Sequence, residues 1–186
     1  MKYKTVLPVL SVLLLAGCQS SGFGDSSAHT PQSAGTQLAQ LQSLRCASGP
    51  LAQNATLPSS LYQEMVTCSR RGQFDKAATF YGIAGTFSSY DALSVNTRYG
   101  RERHVSLLNE GLAPLTASER ERTWAAIRNT METPRKKELL CQRVRHFGPP
   151  QYRPDYMLTN SISFQGSSAD RSIGRWNTAL RSYLDC

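Results

Sequence analysis

Glu64 and Asp91 lie beside Tyr62, Tyr81 and Tyr90, and are the acids of this sequence best placed to line a cleft. A carboxyl pair is what glycoside hydrolysis requires: one group protonates the leaving oxygen and the other acts as base or nucleophile. Other catalytic arrangements find less support. No Gly-x-Ser-x-Gly elbow is present, and serine hydrolysis would need a histidine base. His104 and His146 sit in Arg101-Glu102-Arg103-His104 and Val144-Arg145-His146-Phe147, contexts that read as solvated helix faces. Neither has a metal-ligating partner at i+3 or i+4, so no metal site is expected. Gly82-Ile83-Ala84-Gly85 falls inside a helical stretch and reads as close helix packing rather than a phosphate loop, so no cofactor is expected either. Glu64 is equally well read as the exposed side of its helix. The expectation is a protein without enzymatic activity, with a cell-wall- or lipid-active enzyme using Glu64 or Asp91 as the alternative.

Charge points to a different chemistry. The chain has 21 Lys and Arg against 13 Asp and Glu. Between Arg98 and Arg153 twelve cations face six acids, so this stretch alone carries +6. Arg70-Arg71 ends a helical segment, where cations complement the helix dipole. Arg135-Lys136-Lys137 opens one, where positive charge is locally unfavourable. That misplacement marks Arg135, Lys136 and Lys137 as the residues expected to contact an acidic partner.

The amino terminus sets the address. Lys2 and Lys4 precede an apolar run from Val6 to Leu15, which is too short to span a bilayer and has the layout of an export signal. Leu15-Ala16-Gly17-Cys18 resembles the lipobox of bacterial lipoprotein precursors. That resemblance implies a diacylglycerol on the Cys18 thiol, cleavage after Gly17 and acylation of the new amino terminus. Gln19 stands where an Asp would resemble an inner-membrane retention signal, so the resemblance implies the outer membrane, periplasmic face. Such an address disfavours nucleic acid as a partner. Residues 1–17 are then the signal peptide, 18–35 the acylated cysteine with a small, polar tether that includes His29, and 36–186 the folded domain.

Four further cysteines, Cys46, Cys68, Cys141 and Cys186, fit two disulfides in an oxidising compartment. Three connectivities exist; Cys46 with Cys68 and Cys141 with Cys186 are preferred because each would join segments that read as separate helices.

Apolar periodicity gives those helices. Leu38, Leu41 and Leu44 mark a short one over Gln37 to Arg45. Leu61, Met65 and Cys68 mark a second from Ser59 or Ser60 to Gly72. A third runs from about Phe74 to Phe87 with Ala77, Ala78, Tyr81 and Ala84 inward. Tyr90 to Leu112 carries Leu93, Val95, Val105, Leu108 and Leu112, with a break near Gly100. Thr116 to Met131 opens on Ser118 and Glu121 as a capping box and is striped by Trp124, Ile127 and Met131. Pro134 starts a helix with Leu139, Leu140, Val144 and Phe147, stopped by Gly148-Pro149-Pro150. Residues 151–167, with the alternating run from Leu158 to Phe164, read as loop. A last helix, Ser168 to Tyr183, carries Ile173, Trp176 and Leu180, with Leu184 just beyond.

The spacing Gly72-x-Phe74-x-x-Ala77-x-x-x-Tyr81-x-x-Ala84 resembles the second half of a tetratricopeptide repeat. Glu64 and Met65 depart from the first half, and no second copy follows at the repeat's offset of about 34 residues. The expected fold is therefore all-α, one domain of five to seven helices with a single repeat-like hairpin, stapled by disulfides. Helical hairpins offer grooves for a partner's helix or extended segment. The expected function is a protein-binding lipoprotein of the envelope, either an accessory factor of a secretion or pilus machine or an immunity protein against a periplasmic toxin.

Overall fold

The computed structural model describes residues 33–52, 54–159 and 169–186. All of them belong to one compact unit, Pro31–Cys186. Among the described residues there are seven α-helices and no strand. They are α1 (Ala34–Leu44), α2 (Pro58–Arg70), α3 (Phe74–Val95), α4 (Arg98–Leu112), α5 (Ala117–Glu132), α6 (Pro134–Phe147) and α7 (Ala169–Leu184). The fold is all-α, as the periodicity predicts. Cys18, the signal, most of the tether and residues 160–168 lie outside the described residues.

α3 is the axis. Every residue from Ala77 to Ala92 except Tyr81 and Tyr90 is buried, which is the pattern of a helix surrounded by others rather than laid on a surface. It packs against α2, α4, α5, α6, α7 and a 3-10 turn at Asp155–Met157. α2 and α3 form the expected hairpin, with Leu61, Met65 and Cys68 of α2 and Ala77, Ala78 and Ala84 of α3 buried. α3 runs eight residues beyond the expected end at Phe87, to Val95. The break falls at Asn96, which takes a left-handed conformation (φ 48°), and not at Gly100. Thr97 then caps α4, its hydroxyl accepting from Gly100 N at 3.0 Å.

Two glycines of α3 set how closely its neighbours approach. A β-carbon on Gly82 would lie 2.9 Å from Leu140 of α6, and one on Gly85 would lie 1.8 Å from the Tyr183 ring of α7. α7 is further keyed in by Trp176, whose ring meets Phe87 at 6.0 Å and Tyr90 at 6.1 Å in edge-on geometry.

Both disulfides have the expected pairing. Cys46–Cys68 ties the turn after α1 to the end of α2, and Cys141–Cys186 ties α6 to the last residue of the chain. Closing loops of this size is worth ~3–4 kcal/mol each by chain entropy. Gln37, buried on α1, donates through Nε2 to the carbonyls of Phe147 and Pro149, both at 2.8 Å, and so holds the end of α6.

Several local expectations are corrected. The capping box of α5 is Thr116 with Glu119, not Ser118 with Glu121. α5 starts at Ala117, so the latter pair already lies within the helix. Leu139, Val105 and Ile173 were expected on core stripes but are exposed by 43%, 63% and 49%. On α6 the inward face is Leu140, Cys141, Val144 and Phe147, which turns Leu139 outward. α1 starts at Ala34, capped by Ser33, two residues before the expected domain boundary.

Candidate functional site

α2 is half-buried. Leu61, Tyr62, Met65 and Val66 face the core, and this leaves Ser59, Gln63, Thr67 and Arg70 along the outer edge. A cleft opens on each side of that edge. One, of about 290 Å³, lies between α2 and Leu51, Ala52, Asn54 and Ala55, with Leu41 of α1 and Arg45 just after it at its wall. The other, of about 360 Å³, lies between α2 and α4 over Val66, Leu107, Gly111 and Pro114. Ser59, Gln63 and Thr67 line both, so the clefts share a rim.

The charged side chains of the clefts are engaged within the fold. Glu64, expected as a candidate acid, receives Arg45 Nε at 2.7 Å and the Ala47 amide at 3.4 Å. Arg45 also donates to the carbonyls of Gly49 and Pro50, at 3.0 and 3.1 Å, so the pair shapes the turn after α1. In the second cleft Glu110 is paired with Arg103, whose guanidinium lowers its carboxyl below the usual range. Arg70 reaches the Pro114 carbonyl at 2.5 Å and Glu119 at 3.6 Å, and Arg71 donates to the Cys46 carbonyl. The helix dipole therefore does not exhaust the role of this arginine pair: it also ties α2 to two loops.

Asp91 lines neither cleft. It is 1% exposed on α3, and its Oδ2 accepts from Tyr152 at 2.8 Å and Tyr156 at 2.5 Å. Burial pushes its carboxyl up to about 7, against the lowering effect of those two hydroxyls. The same burial, with the Asp91 charge beside them, raises both tyrosines far above their ordinary range. Asp91 thus fastens the segment after α6 to the central helix, and the structure does not bring Glu64 and Asp91 into one cleft.

His104 corrects a second expectation. Charged neighbours suggest a solvated face, yet the ring is partly buried, its Nδ1 lies 2.7 Å from Ser88 Oγ, and it packs edge-on to Tyr183 at 5.6 Å. Burial lowers its pKa. Ser88 also donates to the Gly85 carbonyl and is fully buried, and the Ser88–His104 pair joins α3 to α4 and lines neither cleft of α2. Burial raises the neighbouring Tyr62 to about 12. His146 is exposed, as expected. Among the described residues no group of three or more His, Cys, Asp or Glu is arranged to hold a metal ion.

Of the three cations expected to meet a partner, Arg135 is exposed on the first turn of α6 and Lys136 is half-buried beside it. Arg135 is 3.6 Å from Glu138 with both side chains mostly exposed. Lys137 points elsewhere: its Nζ lies 2.6 Å from Asp185 Oδ2 and its side chain is 26% exposed. Compared with known proteins, the chain matches no family model, no curated protein and no solved structure. Sequence reasoning missed the clefts of α2. The only signal for them was the polar series Ser59, Gln63 and Thr67 at four-residue spacing, which by itself describes any surface helix.

Proposed function

We propose that this chain is an exported bacterial lipoprotein, acylated on Cys18 and held on the periplasmic face of the outer membrane, whose helical domain binds another protein of the envelope. The observation that carries the binding role is the pair of clefts sharing the Ser59–Gln63–Thr67 rim of α2. Their combined shape offers a trough on each side of a polar ridge, which suits a partner's helix or extended segment. The charges in their walls are already paired within the fold. Pairing of all four cysteines of the domain supports an oxidising compartment and leaves Cys18 as the cysteine for lipid. Among the described residues no helix is long and apolar enough to cross a membrane. The partner is an envelope protein of a secretion or pilus assembly, or a periplasmic toxin for which this chain is the immunity factor.

The test is an affinity measurement with the polypeptide that co-purifies from membrane extract. Ser59→Glu with Gln63→Glu puts two carboxylates on the shared rim and leaves the core untouched, since Gln63 and Ser59 are exposed. Binding is expected to weaken at least ~10-fold, about 1.4 kcal/mol, with an unchanged unfolding midpoint. Unchanged affinity would remove the clefts as the binding site.

A further inference from the structure

We infer that the outward face of α6 is a contact surface for an acidic protein. The inference rests on the protein-binding reading and adds to it the chemistry of the partner.

α6 divides cleanly into two faces. Leu140, Cys141, Val144 and Phe147 are buried. On the opposite side Arg135, Leu139 and Arg143 follow at four-residue intervals, with His146 one turn further and Lys136 along the edge. Residues at these spacings are neighbours on a helix surface. No acid lies on this line; Glu138 is to one side, 3.6 Å from Arg135, and accepts from Gln142 Nε2 at 3.0 Å. Leu139, 43% exposed, sits at its centre.

The start of this helix is built against its own dipole. α6 has no acidic residue in its first turn and no side-chain cap, as in α2, but it adds three cations in a row; α4, which opens on Arg98, is capped by Thr97. Cations at a helix N-terminus are locally unfavourable. Elsewhere the fold pairs such charges closely: Arg45 with Glu64 at 2.7 Å, Arg98 with Glu102 at 2.7 Å and Lys137 with Asp185 at 2.6 Å. On the outward face of α6 that compensation is nearly absent, and an acidic partner supplies it. Arg143, on the edge of the stripe, also donates to Thr79 Oγ1 of α3 at 2.8 Å, which fixes its side chain against the fold.

A protein surface suits this stripe better than a lipid surface. An interfacial helix lays a broad apolar face into the membrane, but the apolar face of α6 is buried in the core and only Leu139 projects. One apolar side chain ringed by arginine and lysine is instead the arrangement of a protein contact, with an apolar centre and a charged rim.

The experiment places a photo-crosslinking amino acid, in the full-length protein in its own cells, at Leu139, at Ser59 on the rim of the clefts, or at exposed Val105 of α4 as control. The expected result is an adduct between position 139 and an acidic protein, absent at position 105. In the background of Arg135→Glu with Lys136→Glu the yield should fall at least ~10-fold. Arg135 is exposed and Lys136 half-buried, so the unfolding midpoint of the variant is measured to check that the domain is intact. A lipid adduct at 139, or a protein adduct whose yield survives the charge reversal, overturns the inference. An adduct at 59 with none at 139 overturns it while protein binding stands, and no adduct at either position removes both. An adduct at 139 alone supports the inference and displaces the clefts.

Discussion

Gly85→Ala is expected to destabilise the domain by at least ~2 kcal/mol, although alanine is the better helix former by ~1 kcal/mol. A β-carbon at position 85 would lie 1.8 Å from Cζ of Tyr183 and 2.2 Å from its hydroxyl. The ring has little room to yield. It packs against Tyr81 at 5.3 Å and against His104 at 5.6 Å, so α7 as a whole must shift outward from α3. Such a shift also disturbs Trp176, which is wedged against Phe87 and Tyr90 on the same helix. Denaturant unfolding of Gly85→Ala, Tyr183→Ala and the double variant checks the mechanism. If the clash is the cause, Gly85→Ala costs much less once Tyr183 has been removed, because the two residues share one contact. Strict additivity would show that the glycine matters for another reason.

The second large effect is on pH dependence. Asp91 is raised from 3.8 to about 7 by burial, so the folded protein holds its proton where the unfolded chain has lost it. Its neutral form therefore contributes stability that is fully present below pH ~4 and is lost as pH rises through about 7. The shift corresponds to something on the order of 4 kcal/mol. His104 acts in the opposite sense. Burial lowers its pKa, so its contribution is present above ~6.5 and is lost as pH falls. Wild-type protein should thus be less stable at pH 8 than at pH 5, by a few kcal/mol. Asp91→Asn keeps an acceptor oxygen for Tyr152 and Tyr156 and cannot ionise. Its stability should show no such fall, leaving the slight rise that His104 gives. Unfolding free energies at the two pH values settle the matter; an equal fall in the variant would mean that another group is responsible.

Most of the helical architecture could be read from the chain because its signals are local. Leu61, Met65 and Cys68 fall on one helical face, Pro134 starts α6, and Gly148-Pro149-Pro150 stops it. Both disulfides follow from treating the cysteines as links between separate helices. The errors arise where two local signals compete or where burial comes from a distant segment. Thr116 with Glu119 and Ser118 with Glu121 have the same capping spacing, and only the backbone conformation at Thr116 chooses between them. Ser88, Ser89 and Asp91 interrupt the apolar pattern of α3 and make its second half read as a break. They are buried because His104, Ser182, Tyr152 and Tyr156 bring them partners from elsewhere in the chain. Leu139 has the composition of a core residue and the position of a surface one, which periodicity alone does not decide.

The proposed site was legible only in its charges. Arg135 and Lys136 stand out because positive charge at the start of a helix needs a reason, whereas Lys137, identical by that argument, is taken up by Asp185. The clefts of α2 depend on how α1, α4 and the residues Leu51, Ala52, Asn54 and Ala55 lean against it, and no spacing within the chain encodes that.

The most direct test of the account is native mass spectrometry of the protein extracted from membranes in mild detergent. It predicts a chain that begins at acylated Cys18 and travels with a second polypeptide, the complex being lost in Ser59→Glu, Gln63→Glu. A chain that retains residues 1–17, or an acylated chain that is always alone, would contradict it.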